Sequence, residues 1–333
     1  MAVTAKSRGR VWLWLVALLA TGHIQAEAGG DPSPESLFES MARATRELNY
    51  DGVFVYSRGA DADSMRIIHR ADENGEQERI VSLSGSPREV IRSNDTVKCY
   101  LPDRRAVMIE KRAMRKFLPT FRQPASEIAL NYQFEMIGRD RVAGRRAWVV
   151  GVLPRNAFRY GYRFWIDAEN RLLLRSEVVN SRGTILEQIL FTQLSLPATI
   201  ADDLLQPAVN SENFTTFDKS SSGESESLEL PVTQKWLVQW VPEGFSQREY
   251  KIQRLSASDS PVEHIVFSDG LATISVFVEE LKDKADSMEG FTAVGAVNTY
   301  SRLNDNYQVT VVGEVPPLTV RQVAGSVVLA TKH

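Results

Sequence analysis

The chain has 333 residues, 43% of them hydrophobic and 24% charged, with 39 basic against 42 acidic side chains. At ~150 residues per domain this is about two domains' worth of ordinary globular chain, which excludes wholesale disorder, collagen and a protein with many membrane spans. The near balance of charge disfavours a nucleic-acid binder, which would carry a basic face, and the single cysteine, Cys99, excludes an internal disulfide or a cysteine-rich metal site.

Lys6, Arg8 and Arg10 precede an apolar run at 11–20 (VWLWLVALLA), and Ala26-Glu27-Ala28 then offers an A-x-A pattern. This is the order of a cleaved export signal, and the apolar run is too short to span a bilayer. The expected signal covers 1–26, with 28 as the other cleavage point; an uncleaved anchor is the alternative. No cysteine follows the apolar run, so no lipid anchor is expected there. Export with a free product places the mature chain in the periplasm or the medium, and loss of the three basic residues makes it more acidic. Cys99, in the strand-like run TVKCYL, is expected to be a buried, inert thiol.

Residues 31–49 read as a helix. Ser33 can cap it, Pro34 suits the first turn, and Leu37, Phe38, Met41, Thr45 and Leu48 form one apolar stripe. The period then changes to two. Strands are expected at 52–58, 64–70, 77–83, 88–93, 96–101 and 105–110, punctuated by Asn74-Gly75, Gly85-Ser86-Pro87, Asn94-Asp95 and Pro102-Asp103. A short helix at 124–130 interrupts them, and strands resume at 132–137, 146–153, 159–167, 171–179 and 184–194. Short connections imply an antiparallel meander, a large curved or rolled sheet with a helix packed on it.

The later strands are apolar on both faces. Tyr160, Tyr162, Phe164 and Ile166 point one way and Trp165 the other. Either a plain two-layer core or an apolar ligand pocket inside a partly closed barrel accounts for this. Residues 104–122 add Arg104, Arg105, Lys111, Arg112, Arg115, Lys116 and Arg122 against Glu110, interleaved with Phe117, Leu118 and Phe121. Such a loop suits an amphiphile with an anionic head, or an acidic protein patch. It also suits a solvated loop whose apolar residues tuck into the barrel mouth.

Residues 207–230 mix serines and acids without an apolar period and read as an interdomain linker. Residues 231–333 form a smaller α+β unit, with strands at 236–241, 248–253, 262–268, 271–279, 295–301 and 307–313. Asp269-Gly270 predicts a two-residue hairpin turn. Pro316-Pro317 opens a helix carrying Leu318, Val320, Val323, Val327 and Val328.

The chain carries no nucleophile elbow, phosphate-binding loop, dinucleotide fingerprint, zinc-protease or calcium-loop pattern. His69 and His264 sit in strand runs and read as packed side chains. No catalytic residue, metal ligand or cofactor is expected, and a periplasmic hydrolase is the weakest reading.

Four segments carry a resemblance: YDGVFVY at 50–56, HIVFSDGLATISVFVE at 264–279, GAVNTYS at 295–301 and VTVVGEVP at 309–316. In this order and spacing, across the whole mature chain, they resemble the MucB/RseB family. The resemblance implies a mainly β, α+β fold: a large half-open antiparallel β-barrel of the LolA/LolB type with helices in its mouth, followed by a smaller α+β C-terminal domain. It departs from LolB-type receptors in lacking a lipidated cysteine. It implies a periplasmic regulator that binds the periplasmic domain of a membrane anti-sigma factor of the MucA/RseA type and shields it from regulated proteolysis. Sensing of lipopolysaccharide or its fatty acyl chains would release the partner and free the envelope-stress sigma factor. On that basis Phe54, Tyr56, Tyr162 and Phe164 are assigned to an acyl cavity, and Arg112, Arg115 and Lys116 to the anionic headgroup. The C-terminal unit is expected to supply the main grip on the anti-sigma peptide. A homo-oligomer is left open, and a periplasmic lipid or lipoprotein carrier is the alternative function.

Overall fold

A computed structural model describes residues 1–2, 31–111, 118, 121, 123–218, 234–254, 260–284 and 287–330. All but the first two residues of the expected export signal and the centre of the basic loop therefore lie outside the described residues, as does the second half of the segment at 207–230.

Helix α1 (Pro34–Glu47) begins where Ser33 accepts a hydrogen bond from the Ser36 amide at 3.2 Å and Pro34 opens the first turn. It buries Leu37, Phe38 and Met41. Twelve strands follow it into one large sheet: β1 (Tyr50–Arg58), β2 (Asp61–Asp72), β3 (Gly75–Ser82), β4 (Glu89–Ser93), β5 (Thr96–Leu101), β6 (Ala106–Lys111), β7 (Tyr132–Val142), β8 (Arg145–Pro154), β9 (Gly161–Asp167), β10 (Leu173–Val179), β11 (Ile185–Ser195) and β12 (Thr215–Asp218). A short helix, α2 (Ala125–Ile128), lies between β6 and β7.

The strand order is β12-β6-β5-β4-β3-β2-β1-β11-β10-β9-β8-β7. The two ends, β12 and β7, are not paired with each other, so the sheet is half open rather than a closed barrel. All neighbours are antiparallel except one. β12 runs parallel to β6, with Thr215 opposite Ala106. This strand begins inside the segment read as linker: its four side chains are all exposed, so it has no apolar period to read. Its backbone is nevertheless paired along the β6 edge.

The two-faced apolar pattern of β9 has a structural cause on each side. Tyr162, Phe164 and Ile166 face inward and pack with Leu37, Phe38 and Met41 of α1. Trp165 faces outward into a smaller cluster with Val142, Ala147, Val149 and Leu174. The Arg175 guanidinium lies 4.2 Å from the Trp165 ring centroid, and the Trp165 indole donates to Asp140 at 2.8 Å. A cation over the ring and a partner for its N–H let this cluster sit at the surface without a further layer.

The C-terminal strands are β13 (Trp236–Val238), β14 (Ser246–Arg254), β15 (Pro261–Ser268), β16 (Thr273–Glu280), β17 (Gly290–Val294), β18 (Val297–Asn304), β19 (Tyr307–Gly313) and β20 (Val327–Leu329). Six form a sheet in the order β14-β15-β16-β19-β18-β17, and β13 pairs with β20. Helix α3 (Pro317–Gly325) buries Val320 and Val323 with Ile265, Ile274, Val276, Val309 and Val311. Two expectations need correction here. Val327 and Val328 are not helical: α3 stops at Gly325, and they form β20 against Leu237 and Val238. The Asp269-Gly270 hairpin is not a two-residue turn. Ser268 pairs with Thr273, leaving a four-residue loop at 269–272.

That loop is wider because its aspartate has two tasks. Asp269 Oδ1 accepts from the Leu271 and Ala272 amides at 3.0 and 2.8 Å, which closes the turn locally. Its other oxygen points away, toward the large sheet. The described residues from Ser33 onward belong to one compact unit. No helix among the described residues is long and apolar enough to cross a membrane.

Candidate functional site: an aromatic cavity where the two sheets meet

The inward face of β9 and the ends of β1, β10 and β11 enclose a cavity of about 270 Å³. Phe121, Tyr162, Phe164, Val178, Ile189 and Leu271 supply its apolar wall. Tyr162 and Phe164 are two apart on β9 and so share a face; their rings are parallel within 5° at 6.0 Å. Phe121 meets Phe164 edge-on at 5.4 Å, and Phe38 backs both from α1. Three of these rings belong to one continuous core with α1, so the wall is fixed before any ligand arrives.

The polar rim consists of Arg58, Glu177, Glu187 and Glu314 with Tyr56. Tyr56 donates its hydroxyl to Glu187 Oε2 at 3.1 Å, and Glu187 Oε1 accepts from the Ala296 amide at 3.0 Å. Glu177 is almost fully buried and is held by Arg175 and by Arg163. Tyr56, Glu177 and Glu187 are therefore held by ion pairs and hydrogen bonds.

The sequence-derived residues divide as follows. Tyr56, Tyr162 and Phe164 line the cavity. Phe54 shares a face with Tyr56 on β1 but is fully buried in the neighbouring cluster, where its ring lies 5.8 Å from Phe191; it is not part of the wall. Arg112, Arg115 and Lys116 lie outside the described residues. Of the apolar residues interleaved with them, Leu118 and Phe121 are buried in the large sheet's two core clusters, as the tucked-in reading of this loop requires. Arg46 holds the Phe121 carbonyl at 2.9 Å.

Sequence reasoning missed the contribution of the C-terminal sheet. Leu271 is only 9% exposed and packs in the large sheet's own core. Beside it, Asp269 Oδ2 accepts from Arg159 Nε at 2.7 Å and from the Tyr132 hydroxyl at 2.9 Å. Burial holds the Tyr132 hydroxyl well above its ordinary pKa, so it stays a donor. Arg159 is further held by the Asn156 side chain and by the Glu243 carbonyl. Other ties run the same way. Asn298 donates to the Tyr160 hydroxyl at 2.8 Å, Thr319 donates to the Phe158 carbonyl at 2.9 Å, and Trp240 packs edge-on against Phe158 at 5.1 Å. Apart from Arg159–Asn156, none of these pairs is closer than about eighty residues in sequence, so no local pattern marks them.

The remaining titratable candidates are structural. His69 Nδ1 bonds the Leu48 carbonyl at 2.8 Å, with its ring stacked on Tyr50. His264 stacks on Phe277 at 4.2 Å. Cys99 is buried, and burial pushes its thiol up. No cluster of His, Cys, Asp and Glu among the described residues could hold a metal ion.

Fold and site together describe a two-sheet binding protein with an aromatic cavity at the junction of its sheets. The chain belongs to the MucB/RseB family: the MucB/RseB N-terminal domain matches residues 33–209 and the MucB/RseB C-terminal domain residues 231–328. It is 32% identical over 321 residues to the sigma factor AlgU regulatory protein MucB of Pseudomonas aeruginosa, covering 95% of each chain. It is 26% identical to the sigma-E factor regulatory protein RseB of Escherichia coli K12, covering 95% of this chain and 97% of that one. Among solved structures it is similar to MucB in the Pseudomonas aeruginosa MucA/MucB complex, with a TM-score of 0.71 and 30% identity over 90% of this chain and 99% of that one. Its TM-score to a crystal structure of MucB alone is 0.61, with 29% identity over 87% and 96% of the two chains.

Proposed function

We propose that this chain is a periplasmic regulator that binds the periplasmic domain of a membrane anti-sigma factor of the MucA/RseA type. By holding that domain it protects the anti-sigma factor from regulated proteolysis and so restrains an envelope-stress sigma factor. The observation that carries this is the end-to-end match to a sigma-factor regulatory protein whose solved relative is a complex with MucA. The basic, apolar and small-residue order of the N-terminal segment supports export. Action by binding and release requires no catalytic step.

The lipid limb of the reading rests on the cavity. Its stacked aromatic wall suits an acyl chain, with Tyr56, Tyr162 and Phe164 as contacts, and Arg112, Arg115 and Lys116 are proposed to meet an anionic head such as that of lipopolysaccharide. A lipid that favours the released state weakens anti-sigma binding by the same factor by which the partner weakens lipid binding. The decisive experiment mixes the mature chain with the periplasmic segment of an anti-sigma factor from the same organism and reads the pair by size-exclusion chromatography. A stoichiometric complex that dissociates on addition of lipopolysaccharide is expected. Failure to form a complex, with lipid still bound and passed between vesicles, would replace this reading with that of a lipid carrier.

A further inference from the structure

One apolar member of the cavity lining comes from a loop of the C-terminal sheet. Leu271, at the tip of the β15–β16 loop, lies against the same wall as Phe121, Tyr162 and Phe164. What remains beside it is about 270 Å³, below the ~300–1,000 Å³ usual for small-molecule sites. A short chain fits that space; the part of the wall against which Leu271 packs opens to a longer chain only if Leu271 gives way.

The Leu271 backbone cannot leave alone. Its amide is bonded to Asp269 Oδ1, as is that of Ala272, so the loop moves as one piece. Asp269 is the partner of Arg159, and neither side chain has any solvent exposure. Withdrawing the loop backbone with Leu271 therefore pulls Asp269 away from Arg159 and Tyr132. A buried ion pair is not stretched by degrees: its charges are either paired or resolvated, because an unpaired buried charge is strongly disfavoured.

We infer that the loop at 269–272 is an internal ligand of the aromatic cavity, competing with an aliphatic chain, so that filling the cavity and breaking the Arg159–Asp269 contact are one event. This rests on the reading of the cavity as an acyl-chain site. It adds the element that links that site to the C-terminal sheet, and it makes Leu271 the residue that sets how deep a chain can enter.

The loop can be pinned for a test. A Cβ built on Gly270 would lie 3.4 Å from the Gln123 Cβ, close to the ~3.5–4.5 Å of a disulfide. Native Cys99 is buried and stays out of exchange. The probe is 11-(dansylamino)undecanoic acid, read by fluorescence on the full mature chain carrying Gln123→Cys and Gly270→Cys. Gly270 has a φ of +97°, so thermal unfolding of the reduced protein checks that the pair folds. Oxidation is expected to weaken probe binding at least about tenfold, with recovery on reduction. In a separate variant, Leu271→Ala is expected to tighten it by about the same factor. Equal binding by oxidised and reduced protein, with Leu271→Ala unchanged from wild type, would overturn the internal ligand and leave the acyl site standing. Probe binding by none of the folded proteins would remove the acyl site and the inference together, while leaving the anti-sigma complex to its own test.

Discussion

Arg159 and Asp269 meet at 2.7 Å with both side chains completely shielded from solvent, one from the large sheet and one from the C-terminal sheet. A pair in that position is a poor source of net stability, since desolvation offsets most of its attraction, but losing one member is costly. Asp269→Ala should destabilise the protein by about 3–5 kcal/mol, read by chemical denaturation. The double variant Arg159→Met with Asp269→Leu should recover much of that loss. Equal destabilisation of single and double variants would mean the pair acts only through shape.

The second prediction concerns acid. Burial, with help from Lys251, depresses His264 from 6.5 to about 4. Its ring faces Phe277 on β16, and Lys251 is its cross-strand neighbour on β14, with Glu249 also nearby. The neutral ring is the one that fits. The unfolded chain takes up the proton first, so stability is full above pH 6.5 and falls as pH drops toward 4. Discounted for its partial exposure, the loss is on the order of 1 kcal/mol. His264→Phe should flatten this part of the stability profile in thermal melts between those limits.

Gly52 faces Phe191 across the β1–β11 pair. A methyl group added there would lie 2.7 Å from the Phe191 ring and 2.8 Å from the Gln193 carbonyl oxygen. One neighbour is backbone, so the strain cannot be relieved by a rotamer change alone. Gly52→Ala should cost about 1–3 kcal/mol in urea unfolding; a neutral result would show that the sheet can part at this point.

Tyr160→Phe tests a weaker tie. It removes the hydroxyl that accepts from Asn298, but Asn298 keeps the Val315 carbonyl at 2.7 Å. The expected cost is only about 0.5–1.5 kcal/mol, and the contrast with Asp269→Ala separates a replaceable hydrogen bond from an irreplaceable charge.

Charge reversal at Arg112, Arg115 and Lys116 should reduce the response to lipopolysaccharide while leaving the far-ultraviolet circular dichroism spectrum unchanged. Undiminished lipid response in that variant would remove these residues from the headgroup site.

The parts of this molecule that sequence made legible are those whose cause is local. Ser33 and Pro34 mark the start of α1 because capping acts within one turn. Tyr162 and Phe164 fall on one face because strand parity is local too. The four exposed residues of β12 carry no such signal, since their pairing with β6 is made by backbone alone. Parity places Phe54 on one face with Tyr56, but it does not show that Phe54 is fully buried beside Phe191 while Tyr56 reaches the cavity. The dipeptide Asp269-Gly270 pointed to a tight turn, but the aspartate's outer oxygen is engaged by Arg159, 110 residues away, and the loop widens to present it. Leu271 was invisible as a cavity residue for the same reason.

The edge-on packing of Trp240 on Phe158 has a practical consequence. Of the six tryptophans, Trp12 and Trp14 fall in the proposed export signal, and its cleavage would remove them. Trp148, Trp165 and Trp236 pack in clusters that belong to one sheet or the other. Trp240 alone touches a ring from the opposite side of the junction, so its emission wavelength is a native, label-free gauge of whether the two halves of the molecule are closed or apart.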